Sequence, residues 1–196
     1  MSVTRSKRRL IGGAAALTLI IGMLAGGTSA SAQGDRDGAY AALRDRSGRR
    51  VAAVTLFRSG PGQVTVTVRV WRLPPGFHGF HVHAIGICDP ATGFMSAGGH
   101  LNPTNQPHAQ HAGDLPVLLV NSDGTARATV DTDRFELAQL FDEDRSAIVV
   151  HSAADNYANI PTRYHSHDFD VVGPDPTTLT AGDSGDRIAC GRIRQS

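Results

Sequence analysis

The stretch over residues 63–72 alternates apolar and polar side chains for ten positions, and this pattern constrains the fold more than any other feature. Valines at positions 64, 66, 68 and 70 fall on one side of it. Because successive side chains of a β-strand point to opposite faces, the pattern predicts a strand with one buried face. Seven more short apolar segments, separated by turn residues, predict strands over 39–45, 50–57, 77–85, 115–121, 125–131, 147–151 and 187–194. Eight short strands with turn signals between them are typical of an antiparallel β-sandwich or barrel.

Two long segments, 86–114 and 152–186, show no periodic pattern and are predicted to be loops. A short helix of two turns is predicted over 133–141, because Leu137, Leu140 and Phe141 share one helical face. Loops of this length are uncommon in a compact domain unless something orders them. Every histidine lies in one of these loops or in a strand next to one. Metal binding, together with a disulfide, would order both loops.

Six of the nine histidines lie between residues 76 and 114. His81 and His83 are two positions apart in a predicted strand, so both imidazoles point to the same side and form half of a metal site. His100, between glycines and an Asn-Pro pair, is placed in a loop that can fold back over them. His111 and Asp114 offer a nitrogen and a carboxylate one turn apart. The stretch encodes two metal sites, or one site and spare histidines.

The donor types favour particular metals. Imidazole suits copper, zinc and iron. Four histidines could form a roughly planar nitrogen site of the kind that copper(II) favours: His81, His83, His100 and His151. Three further residues, with one shared histidine, could form a tetrahedral site of the kind that zinc favours: His108, His111 and Asp114. Because an imidazole has two ring nitrogens, His100 could bridge both metals.

The first 32 residues are typical of an export signal. Four basic residues lie between positions 5 and 9, an apolar run follows over 10–25, and Ala-Ser-Ala at 30–32 predicts cleavage before Gln33. The alternative is a transmembrane anchor. Export by the general or the twin-arginine route would place the protein in the periplasm, the cell envelope or outside the cell, with no stable membrane insertion after cleavage. Residues 33–38 are then a short flexible tail, and 39–196 form one domain.

The charge and the cysteine content indicate which functions and bonds the domain can have. Removing residues 1–32 takes four of 19 basic residues and none of 18 acidic ones, which leaves 15 against 18, a net charge of −3. A mildly acidic domain without a basic run does not suit nucleic-acid binding. Two cysteines in an exported chain suggest one disulfide, between Cys88 and Cys190.

Several motifs resemble those of the copper/zinc superoxide dismutases, and most of all their secreted bacterial branch. They occur in the family's order and span the predicted domain: GFHVH at 79–83, GGHLNP at 98–103, HAGDL at 111–115, VVH at 149–151 and GDRIACG at 185–191. The resemblance implies an eight-stranded antiparallel Greek-key barrel with two long loops. It also implies an enzyme that converts superoxide to oxygen and hydrogen peroxide by copper redox cycling and protects the exterior of the cell.

The resemblance also implies residue roles. The four histidines of the planar set match the copper ligands. His108, His111 and Asp114 match the zinc ligands. His100 matches the imidazolate that bridges the two metals and carries a proton. Asp155 matches an aspartate that links a copper-bound to a zinc-bound histidine. Arg187 matches the arginine that attracts and orients the superoxide anion. Cys88 and Cys190 match the disulfide that fixes the first loop to the last strand, and His78 matches a structural histidine. Whether the protein is a monomer or a homodimer stays open.

The chain departs from the family at three points. His108 and His111 are closer together than usual, which bears on zinc binding. The second loop has no lysine, and its arginines, such as Arg163, face several acids. His165 and His167 match no family ligand, so they are either a solvated pair or an extra copper-capturing site. The rival interpretation is a non-catalytic copper-binding or copper-delivery protein on the same fold; such proteins typically lack a copper histidine or the arginine, and both are present here.

Overall fold

The computed structural model describes residues 38–196. The predicted export signal and the predicted tail up to residue 37 lie outside the described residues. Twelve strands occur in the described part: β1 Gly38–Asp45, β2 Arg50–Gly60, β3 Gln63–Val70, β4 Gly76–His78, β5 Phe80–His83, β6 Leu118–Val120, β7 Ala126–Thr132, β8 Ala147–His151, β9 His165–Ser166, β10 Val171–Val172, β11 Arg187–Arg192 and β12 Arg194–Gln195. The one α-helix among these residues, α1, spans Pro176–Ala181. No helix in residues 38–196 has the length and hydropathy needed to cross a bilayer.

Eight strands form one antiparallel sheet. Seven of them are neighbours in the order β5-β8-β11-β1-β2-β3-β7, and β12 pairs with β1. Two small sheets, β4–β6 and β9–β10, stand apart from it. The pairs β3–β7, β4–β6 and β1–β11 join strands that are not consecutive, as in a Greek key. The predicted all-β antiparallel fold is confirmed.

All eight predicted strands are present, and two of them are interrupted. The strand predicted over 77–85 breaks at Gly79, whose N–H donates to the Ala153 carbonyl at 2.7 Å and whose carbonyl accepts from the His151 N–H at 2.8 Å. A Cβ at Gly79 would lie 2.7 Å from the Ser184 Cβ, so the second loop packs directly on the break. The last predicted strand breaks at Ile193, whose N–H donates to the Ser146 carbonyl.

The alternating face of β3 is buried as predicted. Its four valines are at most 2% exposed and pack into the main core. Larger side chains complete this core, among them Leu43, Leu56, Phe80 and Ile148. Each fully buried side chain of this size contributes about 1.5–3 kcal/mol through removal from water. The sheet is therefore a stable support for the loops at its edge.

The helix predicted over 133–141 is shorter than the two turns expected. The structure has a 3-10 helix at Leu137–Phe141, preceded by Glu136, whose N–H donates to the Gln139 side chain at 2.7 Å. In a 3-10 helix the side chains at i and i+3 stand in line, so Leu137 and Leu140 both reach the core. Two more 3-10 turns, Pro90–Thr92 and Met95–Ala97, lie in the first loop.

The α-helix lies in the second segment that was predicted to be a loop. Asp175 caps α1 by accepting from the Thr178 N–H at 2.8 Å, and Gly182 ends the helix with φ +62°. With only six residues, α1 is too short to show the apolar periodicity by which a helix is recognised from sequence.

The predicted disulfide is present. Cys88 and Cys190 are joined across 102 residues, with 5.6 Å between their Cα atoms. They pack in a small buried cluster with Phe94, Ala97 and Val149. The bond therefore fixes the first loop to β11, next to β8.

Cys88→Ser should lower the free energy of unfolding by about 4–5 kcal/mol, because it releases a closed loop of this length in the unfolded chain. Urea denaturation of the oxidised protein measures the change. Cys190→Ser and the double variant should be destabilised by the same amount, since all three lose one bond. Equal stability of the wild type with and without reductant would contradict this expectation.

Candidate metal centre

The first loop runs beside β5 like an extra strand. The Val82 N–H donates to the Gly113 carbonyl at 2.9 Å, and the Leu101 N–H donates to the Val82 carbonyl at 2.8 Å. A Cβ at Gly113 would collide with the Val82 carbonyl, so only glycine allows this approach. The pairing places His100 opposite His83 and Asp114 opposite His81. Residues far apart in the loop thereby join the histidines of β5.

The first cluster joins β5, the first loop and the end of β8. One ring nitrogen from each of four histidines lies within 4.8 Å of the others: His81, His83, His100 and His151. The His81 Nδ1 and the His100 Nε2 are buried without a hydrogen-bond partner. The Nε2 atoms of His83 and His151 are 3.4 Å apart. Unpartnered buried nitrogens that converge on one point fit a bound metal ion, and the four residues are those predicted for copper.

The second ring nitrogen of these histidines is held by the protein. The His83 Nδ1 donates to the Gly98 carbonyl at 3.0 Å, and the His151 Nδ1 donates to the Gly185 carbonyl at 3.1 Å. A carbonyl oxygen can only accept, so each of these nitrogens carries the proton and the Nε2 keeps its lone pair for a metal. The ring orientations therefore suit coordination.

The second cluster is built around Asp114. One Asp114 oxygen lies 2.6 Å from the His100 Nδ1 and 3.3 Å from the His111 Nδ1, and the other lies 3.1 Å from the His108 Nδ1. The His108 Nδ1 is buried and makes no well-directed hydrogen bond. Three imidazole nitrogens and one carboxylate match the tetrahedral set that zinc favours. The short spacing of His108 and His111 does not prevent their assembly, and His100 contributes one nitrogen to each cluster.

Asp155 links the two clusters. One of its oxygens lies 2.8 Å from the His81 Nε2, and the other lies 2.9 Å from the His108 Nε2. The Tyr157 N–H also donates to it, at 2.7 Å. A Cβ at Gly182 would collide with this carboxylate and lie 2.6 Å from the His108 Nε2. The glycine that ends α1 thus leaves room for the Asp155 contact.

In the metal-free protein most of these histidines are neutral near pH 7. Burial lowers the pKa of His81 to about 4, although the hydrogen bond to Asp155 opposes the change. Burial and the nearby His81 lower the pKa of His151 to about 3. Burial also lowers the pKa of His83 well below its usual value and lowers that of His111. Neutral imidazoles present the lone pairs that a metal needs.

The pKa values of Asp114 and Asp155 are lowered, although burial alone would raise them. Burial alone would raise the pKa of Asp155, but hydrogen bonds from His108 and His81 hold it well below the usual range. The close imidazoles of His100 and His108 do the same for the pKa of Asp114. The pKa of His108, which burial would lower, is raised by both aspartates to about 9. The clusters therefore contain two ionised carboxylates.

Arg187 is half-buried beside the first cluster. Its Nη1 donates to the Phe94 carbonyl at 2.8 Å and its Nη2 to the Gly98 carbonyl at 2.7 Å. Burial lowers the pKa of its guanidinium. Arg187 and His151 both line an open cavity of about 670 Å³. This cavity joins the surface to the first cluster.

A second cation at the cavity, Arg46, was missed from sequence. It lies in the turn between β1 and β2, and its Nε donates to the Arg187 carbonyl at 3.2 Å across 141 residues. Its guanidinium also lies 3.5 Å from an Asp186 carboxylate oxygen, and both residues line the cavity. No motif marked Arg46, because only the folded sheet brings this turn to the cavity.

The remaining histidines stand outside both clusters. The two ring nitrogens of His78 lie 2.7 Å from the His151 carbonyl and 2.9 Å from the Pro74 carbonyl, which suits the structural role expected of it. His165 and His167 lie on the exposed β9–β10 segment. Arg163 lies nearby, 4.9 Å from the ring centre of Tyr164.

Comparisons with known proteins point to one family. The family model described as copper/zinc superoxide dismutase (SODC) matches residues 51–193. The copper/zinc superoxide dismutase of Mycobacterium tuberculosis is 41% identical over 157 residues, which cover 74% of this chain and 65% of that protein. A copper/zinc superoxide dismutase of Brassica juncea is 38% identical over 144 residues, covering 69% of this chain and 84% of that protein. The chain thus spans about two thirds of the mycobacterial relative's length.

Solved structures show the same fold. A SOD-like protein from Bacillus subtilis aligns with a TM-score of 0.60 and 29% identity, covering 78% of this chain and 96% of that one. The clock protein EA4 aligns with a TM-score of 0.64 over 83% of this chain and 96% of that one, at 24% identity, and shares the fold.

The metal-free protein should lose stability as the pH falls from about 6.5 towards 4. The usual histidine pKa is 6.5, whereas folding lowers the pKa of His81 to about 4 and that of His151 to about 3. The unfolded chain therefore binds more protons in this window, and the stability present above pH 6.5 is lost below it. His108 has the opposite effect, because folding raises its pKa to about 9. Its contribution to the stability is present at low pH and is lost as the pH rises through about 9.

Melting temperatures of chelator-treated protein between pH 7.5 and 4.5 measure this effect. His151→Gln should flatten the slope by removing one titrating group. A melting temperature that stays constant over this range would contradict the assigned pKa shifts.

Proposed function

The chain belongs to the copper/zinc superoxide dismutase family, and we propose that it is an active member, which converts two superoxide anions and two protons to oxygen and hydrogen peroxide. The observation that carries the proposal is the complete four-histidine cluster with Arg187 beside it on one cavity. The rival, a non-catalytic copper-binding or copper-delivery protein, is not favoured, because neither the fourth histidine nor the arginine is missing.

Copper and zinc are the metals that the two clusters fit. Four imidazole nitrogens in the first cluster suit copper, and three imidazoles with Asp114 in the second suit zinc. When bound, copper supplies one-electron transfer, taking an electron from one superoxide and giving it to a second. His100 would hold its Nδ1 towards the redox-inert zinc and its Nε2 towards copper.

Arg187 would bind and orient the anion. A guanidinium has five N–H donors, and two of those of Arg187 are engaged by the Phe94 and Gly98 carbonyls. These two contacts fix its position, and the other N–H groups remain for a small anion. The Gly98 carbonyl also accepts from the His83 ring. The anion-binding group and a metal-binding histidine therefore share one anchor.

His100 would carry a proton. Its Nδ1 lies 2.6 Å from Asp114, and its Nε2 is buried without a partner in the first cluster. The Nε2 has one lone pair, so it would hold the proton only while it does not hold copper. Asp114 would keep the ring in place during the transfer.

We also propose that the protein acts outside the cytoplasm and protects the exterior of the cell from superoxide. The Cys88–Cys190 disulfide supports this, since such bonds persist in oxidising compartments. The signal-like sequence over 1–32 supports it too. Detection of the protein, without residues 1–32, outside the cytoplasm would test the location.

Copper-loaded protein should remove superoxide far faster than free aqueous copper does. His151→Ala should reduce the rate to background, because it removes one of the four copper nitrogens. Pulse radiolysis measures the rate, and metal analysis of the same samples separates lost chemistry from lost copper. Wild-type turnover no faster than free copper, with copper fully bound, would reject the enzyme.

The two arginines at the cavity should differ in their effect on capture. Arg187→Glu should lower the bimolecular rate at least tenfold with copper retained, as expected when local attraction of an anion is reversed. Arg46→Gln should lower it less and should also reduce its dependence on ionic strength. Rates at rising salt concentration measure both effects.

Arg49→Gln provides the matched control. Arg49 lies in the same turn as Arg46 but pairs with Asp45 at 2.8 Å. Its replacement should leave the rate unchanged. An Arg187→Glu variant with the wild-type rate and salt dependence would overturn the role of Arg187.

A further inference from the structure

A small hairpin in the second loop carries two histidines that neither cluster uses. The hairpin, residues 165–172, consists of β9 and β10 joined by residues 167–170. Val172 pairs with His165 and Val171 with Ser166. The Gly173 N–H donates to the Tyr164 carbonyl at 2.9 Å and extends the pairing by one step. The histidines are thus mounted on an ordered element.

The side chains of the hairpin divide between two faces. Ser166 is half-buried, and its Oγ donates to the Asp175 carboxylate at 2.9 Å. Asp175 caps α1, so this contact fixes the inner face of the hairpin to the helix. Because neighbouring side chains of a strand lie on opposite faces, His165 points outward, and His167 is the first residue of the turn that follows β9. Both are exposed.

The two imidazoles stand at a distance that suits a shared metal ion. Their ring centres are 5.2 Å apart. Two imidazoles bound to one ion at about 2.0–2.1 Å have ring centres roughly 5 Å apart. Asp170 lies 3.1 Å from the His165 Nε2 and can orient this ring by accepting a hydrogen bond from it. The hairpin therefore offers two imidazoles at a suitable separation, one of them held by a carboxylate.

We propose that the hairpin binds one copper(II) ion through His165 and His167, with Asp170 as the supporting carboxylate. Copper(II) is favoured because imidazole sites bind it more tightly than the other divalent metals of the first row. Asp168 and Asp170 add negative charge nearby, while Arg163 is stacked on Tyr164. The proposal rests on the hairpin alone and does not depend on the proposed function.

The hairpin stands at the rim of the cavity that leads to the first cluster. Phe169, in its turn, lines this cavity together with His151 and Arg187. An ion at the hairpin would lie outside both clusters but on the side from which the first cluster is reached. The structure thus places the third site on the surface and the two predicted sites in the interior.

Calorimetric titration of copper(II) into the full protein, with both clusters already filled, tests the proposal. The wild type should bind one additional copper(II) per chain, with the electron paramagnetic resonance signal of a second copper(II) environment. The double variant His165→Ala/His167→Ala should lose this binding and keep the metals of both clusters. Absence of a further copper in the wild type, or wild-type binding by the double variant, would overturn the site.

Two aspartates give a matched comparison on the same turn. Asp170→Asn should weaken the additional binding about 10- to 100-fold, the usual cost of losing a carboxylate that supports a ligating histidine. Asp168→Asn removes the same charge one position after His167 and should change the affinity little. Equal effects of the two variants would show that charge alone holds the ion and would reject the role of Asp170.

Discussion

Both metal clusters depend on the buried carboxylate of Asp155. It accepts from the Nε2 of His81 and from the Nε2 of His108, and so joins β5, the first loop and the second loop. The bond from the neutral His81 places the proton on its Nε2 and leaves the Nδ1 lone pair facing a cluster, while the bond from His108 holds its Nε2–H in the same way and turns the Nδ1 towards the second cluster. An amide in its place could accept with its oxygen only, so one histidine would lose its partner. This contact decides which way two of the metal-binding rings point.

The two long loops are ordered by a few specific contacts. The first is held to β5 by backbone hydrogen bonds that only a glycine at position 113 permits, and to β11 by the disulfide. The Gly98 carbonyl accepts from both His83 and Arg187, so one peptide group positions a metal-binding ring and the guanidinium proposed to bind the anion. The second loop is held at Asp155 and at the break after β4. Function thus resides in loops that the sheet and these contacts make rigid.

Much of this could be predicted from sequence because the signals are local or chemically distinctive. The valines of β3 indicate a buried face by themselves. A high density of histidines indicates metal binding whatever the fold of the chain. Spacing also placed His81 and His83 on one side of a strand. The resemblance to a family supplied the partners, Asp155 and Arg187, that no local pattern shows.

What could not be predicted depends on contacts between distant segments or on very short elements. The pattern over 133–141 predicts a helix but not its type, because apolar residues three apart suit both an α-helix and the 3-10 helix observed at Leu137–Phe141. α1 and the 165–172 hairpin are too short to leave a periodic pattern. Arg46 lies 141 residues from Arg187, and only the pairing of β1 with β11 brings its turn to the cavity.

Arg46 balances the charge of the side chains that line the cavity. The second loop contributes Asp183 and Asp186 to the cavity, and Arg46 and Arg187 are its cationic lining side chains within residues 38–196, so the formal charges of these four side chains cancel. The Arg46–Asp186 pair is exposed, and such pairs contribute at most about 1 kcal/mol. The hydrogen bond to the Arg187 carbonyl is a second contact that places Arg46 at the cavity. Beyond a Debye length of about 8 Å a neutral set of charges attracts an anion weakly. For the proposed activity, capture would then depend on short range, where Arg187 lines the cavity together with the metal-binding His151.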